Sequence, residues 1–203
     1  MMVTYTVEVE QLEILPQYGI TYLYKLNDFR KNEKLCDVIL KTVDGNEIHA
    51  HKFVLSTCSE YFEKMFNGDF LESAEDNEVI IIKDISDAVL KDLIDFMYTG
   101  NLARIDGDNV EAILNGADIL LLTEVRLKCS KFFMRTLVDN NCFKIKDIAD
   151  SRGITELSQK CLEYILARFH FVSKEKTFLD IDVTQLKQLI ENDNLRAPNE
   201  KDV

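Results

Sequence analysis

Strand-type patterns occur only in the first half of this sequence, whereas helical patterns run through all of it. Residues 3–9 alternate valine or tyrosine with polar side chains, the period of two that is typical of a half-buried strand. The stretch CDVILKTVDGNEIHA predicts two short strands joined by Asp44 and Gly45, because this dipeptide tolerates the positive φ angles of a tight hairpin. Residues 79–84, VIIIKD, predict a fully apolar strand. These patterns predict a short sheet in the first half.

Helices are predicted where apolar residues recur every three or four positions. The predicted helices lie at about 20–32, from Phe53 to Phe66, Ser86 to Gly100, about 108 to Leu122, Thr123 to Leu137, Phe143 to Ser151, Thr155 to about Phe169, and around Leu186 to Ile190. Only helical patterns follow Asn140 and Asn141, so the architecture is predicted to change there. The predicted fold class is α+β: a helical cluster flanked by a short β-sheet, followed by an all-α region.

Composition indicates a folded protein that stays inside the cell. Hydrophobic residues make up 46% of the 203 positions, which is enough to bury a core. No apolar run approaches the roughly 18 residues that cross a bilayer, and the N-terminus lacks the features of a signal peptide. We therefore expect a cytoplasmic, or alternatively nuclear, protein. A formal charge of −12 disfavours nucleic acid and anionic membranes as ligands.

Histidines and cysteines are the residue types in this sequence that could bind a metal or act as nucleophiles. His49 and His51 point to one face of a strand, but the third histidine, His170, is distant and no cysteine or acid has a recognisable partner spacing. The five cysteines are scattered without a CxxC pair, which indicates reduced thiols. Cys58 follows a helical apolar stripe, so it is predicted to be a buried, inert thiol. We favour packing or capping histidines over a metal site.

Sequence signatures of enzymes are missing as well. The chain has no GxGxxG, GxxxxGK[ST] or GxSxG motif and only seven glycines. Carboxylate pairs occur because acids are abundant, so spacing alone identifies none as catalytic. We expect a non-catalytic protein without a cofactor.

Four sequence blocks, CDVIL, AHKFVLSTCSEYFEKMF, FMYTG and ADILLL, have the order and spacing of a BTB (POZ) domain, which the chain resembles over residues 20–140. The following stretch, NCFKIKDIADSRGITELSQKCLEYILARFHFV, resembles the helical connector and the start of the BACK region of kelch-like proteins. This resemblance divides the chain into an N-terminal strand or tail (1–19), a BTB domain (20–140), and a connector with a partial BACK domain (141–203). It also indicates that His51 is structural, since Ala-His-Lys ends the strand and starts the helix.

Homodimerisation is one implication of the resemblance. In the family the first helix packs on its partner, two charged residues face a pocket at the dimer interface, and some members exchange an N-terminal strand. The residues that correspond are Leu23, Leu26 and Phe29, Asp37 and Lys52, and Val7. An isologous contact would cover an apolar stripe that a lone domain exposes. Two alternatives stay open: the stripe packs on its own domain, and the strand folds back or stays mobile.

The resemblance also implies docking to cullin-3. Binders in the family place an apolar residue, any residue and a glutamate after the YFxxMF helix, and Phe70, Leu71 and Glu72 occupy those positions. The predicted cullin-binding residues are Tyr61, Lys64, Met65, Phe70, Leu71, Glu72, Phe143 and Ile145. Lys64 departs from the alanine that binders usually have, and Leu121 replaces a frequent glutamine. The alternative interpretation is a solvated acidic loop.

The expected function is that of a homodimeric interaction module, the cullin-3-binding portion of a ubiquitin ligase adaptor. Kelch-like adaptors usually add a propeller that holds the substrate protein, whereas this sequence stops at Val203, within BACK. The substrate-recognition domain is thus expected to be absent, and both a fragment and a natural short form fit. The alternative function is a dimerising scaffold, transcriptional co-regulator or dominant competitor that does not bind cullin-3.

Overall fold

The structure is a computed structural model that describes residues 10–43, 45–67, 78–102 and 104–196, with side chains from Gln17 onwards. The chain divides into two compact units, Met1–Arg126 and Leu127–Val203. No helix in the described ranges is both long and apolar enough for a membrane span.

The first unit contains α1 (Glu10–Lys31), β1 (Val38–Thr42), β2 (Glu47–Ala50), α2 (Lys52–Cys58), α3 (Glu60–Asn67), β3 (Glu78–Ile82), α4 (Asp87–Thr99) and α5 (Val110–Ile119). Helix α6 (Thr123–Arg135) crosses the unit boundary. The second unit continues with α7 (Cys142–Ser151), α8 (Thr155–Ala167), α9 (Phe169–Val172), a 3-10 helix (Lys176–Asp180) and α10 (Val183–Ile190). This α+β architecture confirms the predicted fold class.

The sheet has three strands in the order β2-β1-β3. Strands β1 and β2 are antiparallel, with Val38 opposite Ala50, which confirms the predicted pair of strands. Strand β3 runs parallel to β1. The apolar strand predicted at 79–84 corresponds to β3, in which Val79 and Ile81 are 52% and 57% exposed, whereas Ile82 is buried. The face of β3 that carries Val79 and Ile81 is therefore accessible to solvent.

Helix α1 begins earlier than the predicted start near residue 20. It extends from Glu10 to Lys31 and continues through Pro16. Pro16 and Gly19 both lie within this helix, and both residue types disfavour helix interiors, so the sequence pattern favoured a start after them. The strand predicted at residues 3–9 lies outside the described residues.

The single helix predicted from Phe53 to Phe66 is two helices, α2 and α3, separated at Ser59. The backbone of Ser59 is extended, with φ −144° and ψ 119°. Its buried hydroxyl donates to the carbonyl oxygen of Leu120 at 2.6 Å and accepts from the N–H of Phe62 at 3.3 Å. The Ser59 hydroxyl thus satisfies a backbone donor at the start of α3 and is joined to the end of α5, and both bonds accompany the extended backbone that separates the two helices.

The core of the first unit forms around α4. Leu90, Leu93, Ile94 and Tyr98 of this helix are fully buried. Helix α4 begins after Ser86 and ends at Gly100, as predicted. Helix α5 approaches α4 closely at Gly116, where an added Cβ would lie 2.6 Å from the Cδ1 atom of Leu93. A side chain at residue 116 would therefore displace the core.

The second unit is helical throughout its described part, as predicted. Its buried core contains Cys142, Phe143, Ile165, Leu166, Val172 and Leu189, with α7 and α8 as neighbours. The guanidinium of Arg168 donates to both carboxylate oxygens of Asp139 at 2.7 Å, and the Tyr164 hydroxyl donates to the same carboxylate at 2.9 Å. These bonds lower the pKa of Asp139.

Candidate protein-interaction surfaces

The C-terminal half of α1 is fixed to α4 by a buried arginine. The Arg30 guanidinium donates to the Asn27 side-chain oxygen at 3.0 and 3.1 Å, forms an ion pair with Asp95, and lies 4.9 Å from the Tyr98 ring centroid. Arg30 and Asn27 are each 8% exposed. Charge-assisted hydrogen bonds and the ring contact hold this half of the helix in one orientation.

The preceding turns of α1 expose a row of large side chains, here called the α1 row: Tyr18, Ile20, Tyr22, Leu23 and Tyr24, between 39% and 65% exposed. The hydroxyls of Tyr18 and Tyr22 are 2.8 Å apart. Of the predicted dimer residues, Leu23 is exposed, whereas Leu26 and Phe29 are half-buried. The tyrosines were not among the predicted dimer residues, although their density in this segment was a signal. Exposed apolar rows of this kind are typical of interaction sites.

The structure brings Asp37 and Lys52 together. The Asp37 carboxylate accepts from the backbone N–H of Lys52 at 2.7 Å, so it satisfies a donor at the start of α2. The Lys52 ammonium lies 5.5 Å from the ring centroid of Phe66. The third dimer element, Val7, lies outside the described residues.

His51 is 9% exposed and both of its ring nitrogens have partners. Its Nε2 atom lies 3.0 Å from the carbonyl oxygen of Lys34, and its Nδ1 atom lies 2.8 Å from the Tyr98 hydroxyl. A carbonyl only accepts, so Nε2 bears the proton and Nδ1 accepts from the tyrosine. Both hydrogen bonds join the His51 ring to other parts of the same unit, so this histidine has a structural role. His49 lies 3.8 Å from Glu33, and no three metal-ligating side chains converge within the described ranges.

The thiols have environments that suppress reactivity. Burial raises the pKa of Cys142 to about 11 and that of Cys161 to about 12. The prediction that Cys58 is buried was wrong, because α2 ends there and the residue is exposed. Its thiol nevertheless donates to the carbonyl oxygen of Met97 at 3.4 Å, and partial desolvation raises its pKa. The thiolate needed for nucleophilic attack is therefore disfavoured.

Helix α3 presents three of the predicted cullin-binding residues outside the core. Tyr61 is half-buried, Met65 is 37% exposed, and the Lys64 ammonium lies 3.4 Å from the Glu60 carboxylate. Such an exposed ion pair is worth little and can rearrange readily. Phe70, Leu71 and Glu72 lie outside the described residues, so the structure places only the helix before them.

The two predicted cullin-binding residues of α7 are interior residues of the second unit. Phe143 is 6% exposed and Ile145 is 4% exposed. The Phe143 ring centroid lies 5.9 Å from that of Phe178. Their side chains face inwards because the apolar face of α7 packs within its own helical unit. They stabilise α7 and do not form its exposed surface.

Comparisons with known proteins match two family models. One, described as "BTB/POZ domain", matches residues 26–137, and the other, "BTB And C-terminal Kelch", matches residues 142–203. Kelch-like protein 17 of Mus musculus is 34% identical over 178 residues, which cover 88% of this chain and 27% of the relative. Kelch-like protein 5 of Homo sapiens is 34% identical over 179 residues, covering 88% and 23% respectively. The chain thus spans about a quarter of the length of these relatives.

A solved structure gives an independent comparison of the fold. The BTB domain of zebrafish PATZ1 superimposes with a TM-score of 0.53 at 28% sequence identity. The match covers 66% of this chain and all of that domain. A short sheet flanked by helices is therefore a shared architecture.

Proposed function

Because this chain belongs to the BTB/POZ domain family, we propose that it is the homodimeric, cullin-3-binding portion of a ubiquitin ligase adaptor. The match of the following region to the BACK model, together with kelch-like relatives, supports a protein-interaction adaptor. Its proposed contribution is to position proteins next to one another, with the chemistry of ubiquitin transfer performed by other subunits.

The α1 row supports the proposed dimer. Its side chains lie on turns that precede the buried anchor at Arg30, so this part of the helix extends past the contacts that fix the rest. A twofold contact would let the same row cover its counterpart in a second copy. Removing these apolar side chains from water would favour association.

The observation that most supports cullin docking is the exposed side of α3. Tyr61, Lys64 and Met65 lie there, and the chain then continues to the predicted motif at residues 70–72. In the proposed complex Phe70 fills a pocket on cullin-3 and Glu72 meets a cation, the combination of apolar anchor and charge that is common in binding hot spots. We expect one cullin-3 molecule per chain.

Calorimetric titration with the N-terminal domain of cullin-3, combined with light scattering, tests this function. Phe70→Ala is expected to weaken binding about thirtyfold, because loss of an aromatic anchor typically costs about 2 kcal/mol. Phe53→Ala is the matched control, since Phe53 is an aromatic residue of the same unit that is 76% exposed on α2. Absence of binding by an intact dimer, or equal affinity of the Phe70→Ala variant, would contradict the proposal.

Lys64 favours a second candidate function, that of a dimerising scaffold or co-regulator that does not bind cullin-3. The side chain is 73% exposed, and it stands where cullin binders in the family usually have alanine. In this case Lys64→Ala is expected to create measurable cullin-3 binding in a dimer that otherwise shows none. Equal absence of binding in both forms would assign the lack of affinity to another residue.

A further inference from the structure

A groove of about 530 Å³, here called the β2–α4 groove, lies between strand β2 and helix α4 of the first unit. Residues 46–49 form its strand side, and Asp87, Lys91 and Asp95 form its helix side. Residues at the end of α1 also line it. Binding clefts in proteins typically have volumes of about 300–1,000 Å³, so this groove is large enough to hold several side chains of a ligand.

Contacts at both ends fix the width of the groove. At one end the backbone N–H of Asn46 donates to the Asp87 carboxylate at 3.1 Å. At the other end the buried arginine of α1 is ion-paired with Asp95, and the Nε2 atom of His49 lies 3.8 Å from the Glu33 carboxylate. Strand β2 and helix α4 therefore run in the same direction between two fixed ends. A groove that exists before its ligand arrives needs less ordering on binding.

Strand β2 is an edge strand, and the groove runs along it. Within the described part of the sheet, whose order is β2-β1-β3, β2 pairs with β1 alone. An edge strand presents a row of backbone N–H and C=O groups with which an extended peptide can pair, so that the peptide adds a strand to the sheet. Helix α4 gives such a peptide a second wall. The ligand that suits this groove is therefore an extended peptide.

The helix side of the groove carries charges of alternating sign. Asp87, Lys91 and Asp95 are four residues apart, so they lie on one face of α4. Successive charges are about 6 Å apart along the helix, and side chains on one face of a strand are about 6.6 Å apart. A peptide strand along α4 can thus place one side chain opposite each charge. The complementary order is basic, acidic, basic, which reads the same in both chain directions.

The overall charge of the first unit also favours this peptide. The groove is lined by four carboxylates and three cationic side chains, and Glu33 and Glu47 among them are 65% and 51% exposed. Residues 1–126 contain 24 acidic against 11 basic residues, whereas residues 127–203 contain 12 and 13. The negative potential of the chain therefore originates in the unit that contains the groove. A peptide with two basic residues and one acidic residue matches both the local pattern and this potential.

We propose that the β2–α4 groove docks an extended segment of a partner protein, with basic, acidic and basic side chains at alternate positions facing α4. The segment adds a strand to β2. Its acidic residue meets Lys91, and its two basic residues meet Asp87 and Asp95, since a carboxylate accepts more than one hydrogen bond. The lining residues belong neither to the α1 row nor to α3, so this inference stands apart from the proposed dimer and cullin contacts.

A labelled synthetic peptide, Val-Lys-Val-Glu-Val-Lys-Val, tests the proposal by fluorescence anisotropy with the full chain. The control peptide, Val-Lys-Val-Lys-Val-Glu-Val, has the same composition and net charge but places a lysine opposite Lys91 and a glutamate opposite Asp95. The first peptide is expected to bind about tenfold more tightly than the control. Equal affinity of the two peptides, or binding of neither, would overturn the proposal.

Exchange of a charge between protein and peptide identifies the contact to α4. Lys91 is exposed, so Lys91→Glu should leave the melting temperature unchanged while it weakens binding of the first peptide about tenfold. A peptide with lysine in place of the central glutamate should restore the affinity of this variant. Lys83→Glu, at another exposed lysine of the same unit, is the matched control and should bind like the wild type. Failure of the exchanged peptide to restore binding would show that Lys91 does not face the peptide.

Methylation of peptide nitrogens distinguishes strand addition from a contact made by charges alone. A paired strand directs the N–H groups of alternate residues towards its neighbour, so methylating one alternate set should abolish binding, and methylating the other should change it less than about twofold. Equal effects of the two sets would contradict strand addition. Light scattering should show that the peptide leaves the mass of the protein unchanged. Dissociation into monomers would instead assign the groove to a second copy of the chain and overturn the assignment to a separate partner.

Discussion

The hydroxyl of Tyr98 joins segments of the first unit that are distant in sequence. It accepts from the backbone N–H of His51 at 2.8 Å and donates to the ring Nδ1 of the same residue, while Arg30 lies over its ring. Burial raises the pKa of this phenol, so it stays protonated. The sequence indicated a structural His51 but not its partner, since periodicity describes one element and this contact joins two.

Tyr98→Phe is expected to destabilise the protein by about 2 kcal/mol. The change keeps the ring but leaves the His51 N–H and ring nitrogen without a partner in the interior, and unsatisfied buried groups cost about 1–3 kcal/mol. Denaturant unfolding measures the effect. Tyr24→Phe removes a hydroxyl from a side chain that is 65% exposed, so its stability should match the wild type. Equal stability of both variants would show that the Tyr98 hydroxyl is dispensable.

At the scale of elements, the sequence was least informative where the burial of side chains or the backbone conformation changes along a helix or strand. The start of α1 was placed too late because Pro16 and Gly19 lie within the helix. The split between α2 and α3 depends on one buried serine. The apolar sequence of β3 does not reveal that Val79 and Ile81 are exposed. Elements packed uniformly, such as α4, were predicted well because burial imposes one regular period. The candidate surfaces were partly predictable: residues of α3 lie outside the core, whereas Phe143 and Ile145 are interior.

Leu23→Asp is expected to convert the proposed dimer into monomers. The substitution places a carboxylate in the α1 row, where association would bury it without a partner, at a cost of about 3 kcal/mol or more than a hundredfold in affinity. Sedimentation equilibrium gives the mass. Leu179→Asp is the matched control, because it makes the same chemical change at a leucine of the second unit that is 84% exposed. A dimer that survives Leu23→Asp would place the interface elsewhere.

At the scale of the whole molecule, charge and contact between copies act against each other. Each chain has a formal charge of −12, so two copies repel one another while their apolar surfaces favour association. Composition alone revealed this repulsion. The apolar surface that opposes it was only partly visible, because an exposed and a buried leucine look alike in sequence.

Raising sodium chloride from about 50 mM to about 500 mM is therefore expected to lower the dissociation constant of the dimer. Salt screens the exposed charges and so weakens the repulsion between the two negatively charged copies. Analytical ultracentrifugation gives the dissociation constant at each salt concentration. Sucrose at matched osmolarity controls for general effects of solutes. A dimer that loosens in salt would indicate that ion pairs hold it.

The parallel pairing of β1 with β3 has a consequence for how the chain folds. Strand β1, the middle strand of the sheet, can form a hairpin with β2 as soon as both are synthesised. Val38 can pair with Glu78 only after the segment that contains α2 and α3 has also been synthesised. Pairing of residues far apart in sequence requires a large loop to close first, which slows folding. During synthesis, the backbone groups on one edge of β1 therefore have no strand partner until β3 leaves the ribosome. An unpaired strand edge can pair with another chain, so early pairing of β1 with β3 would protect the nascent protein from aggregation.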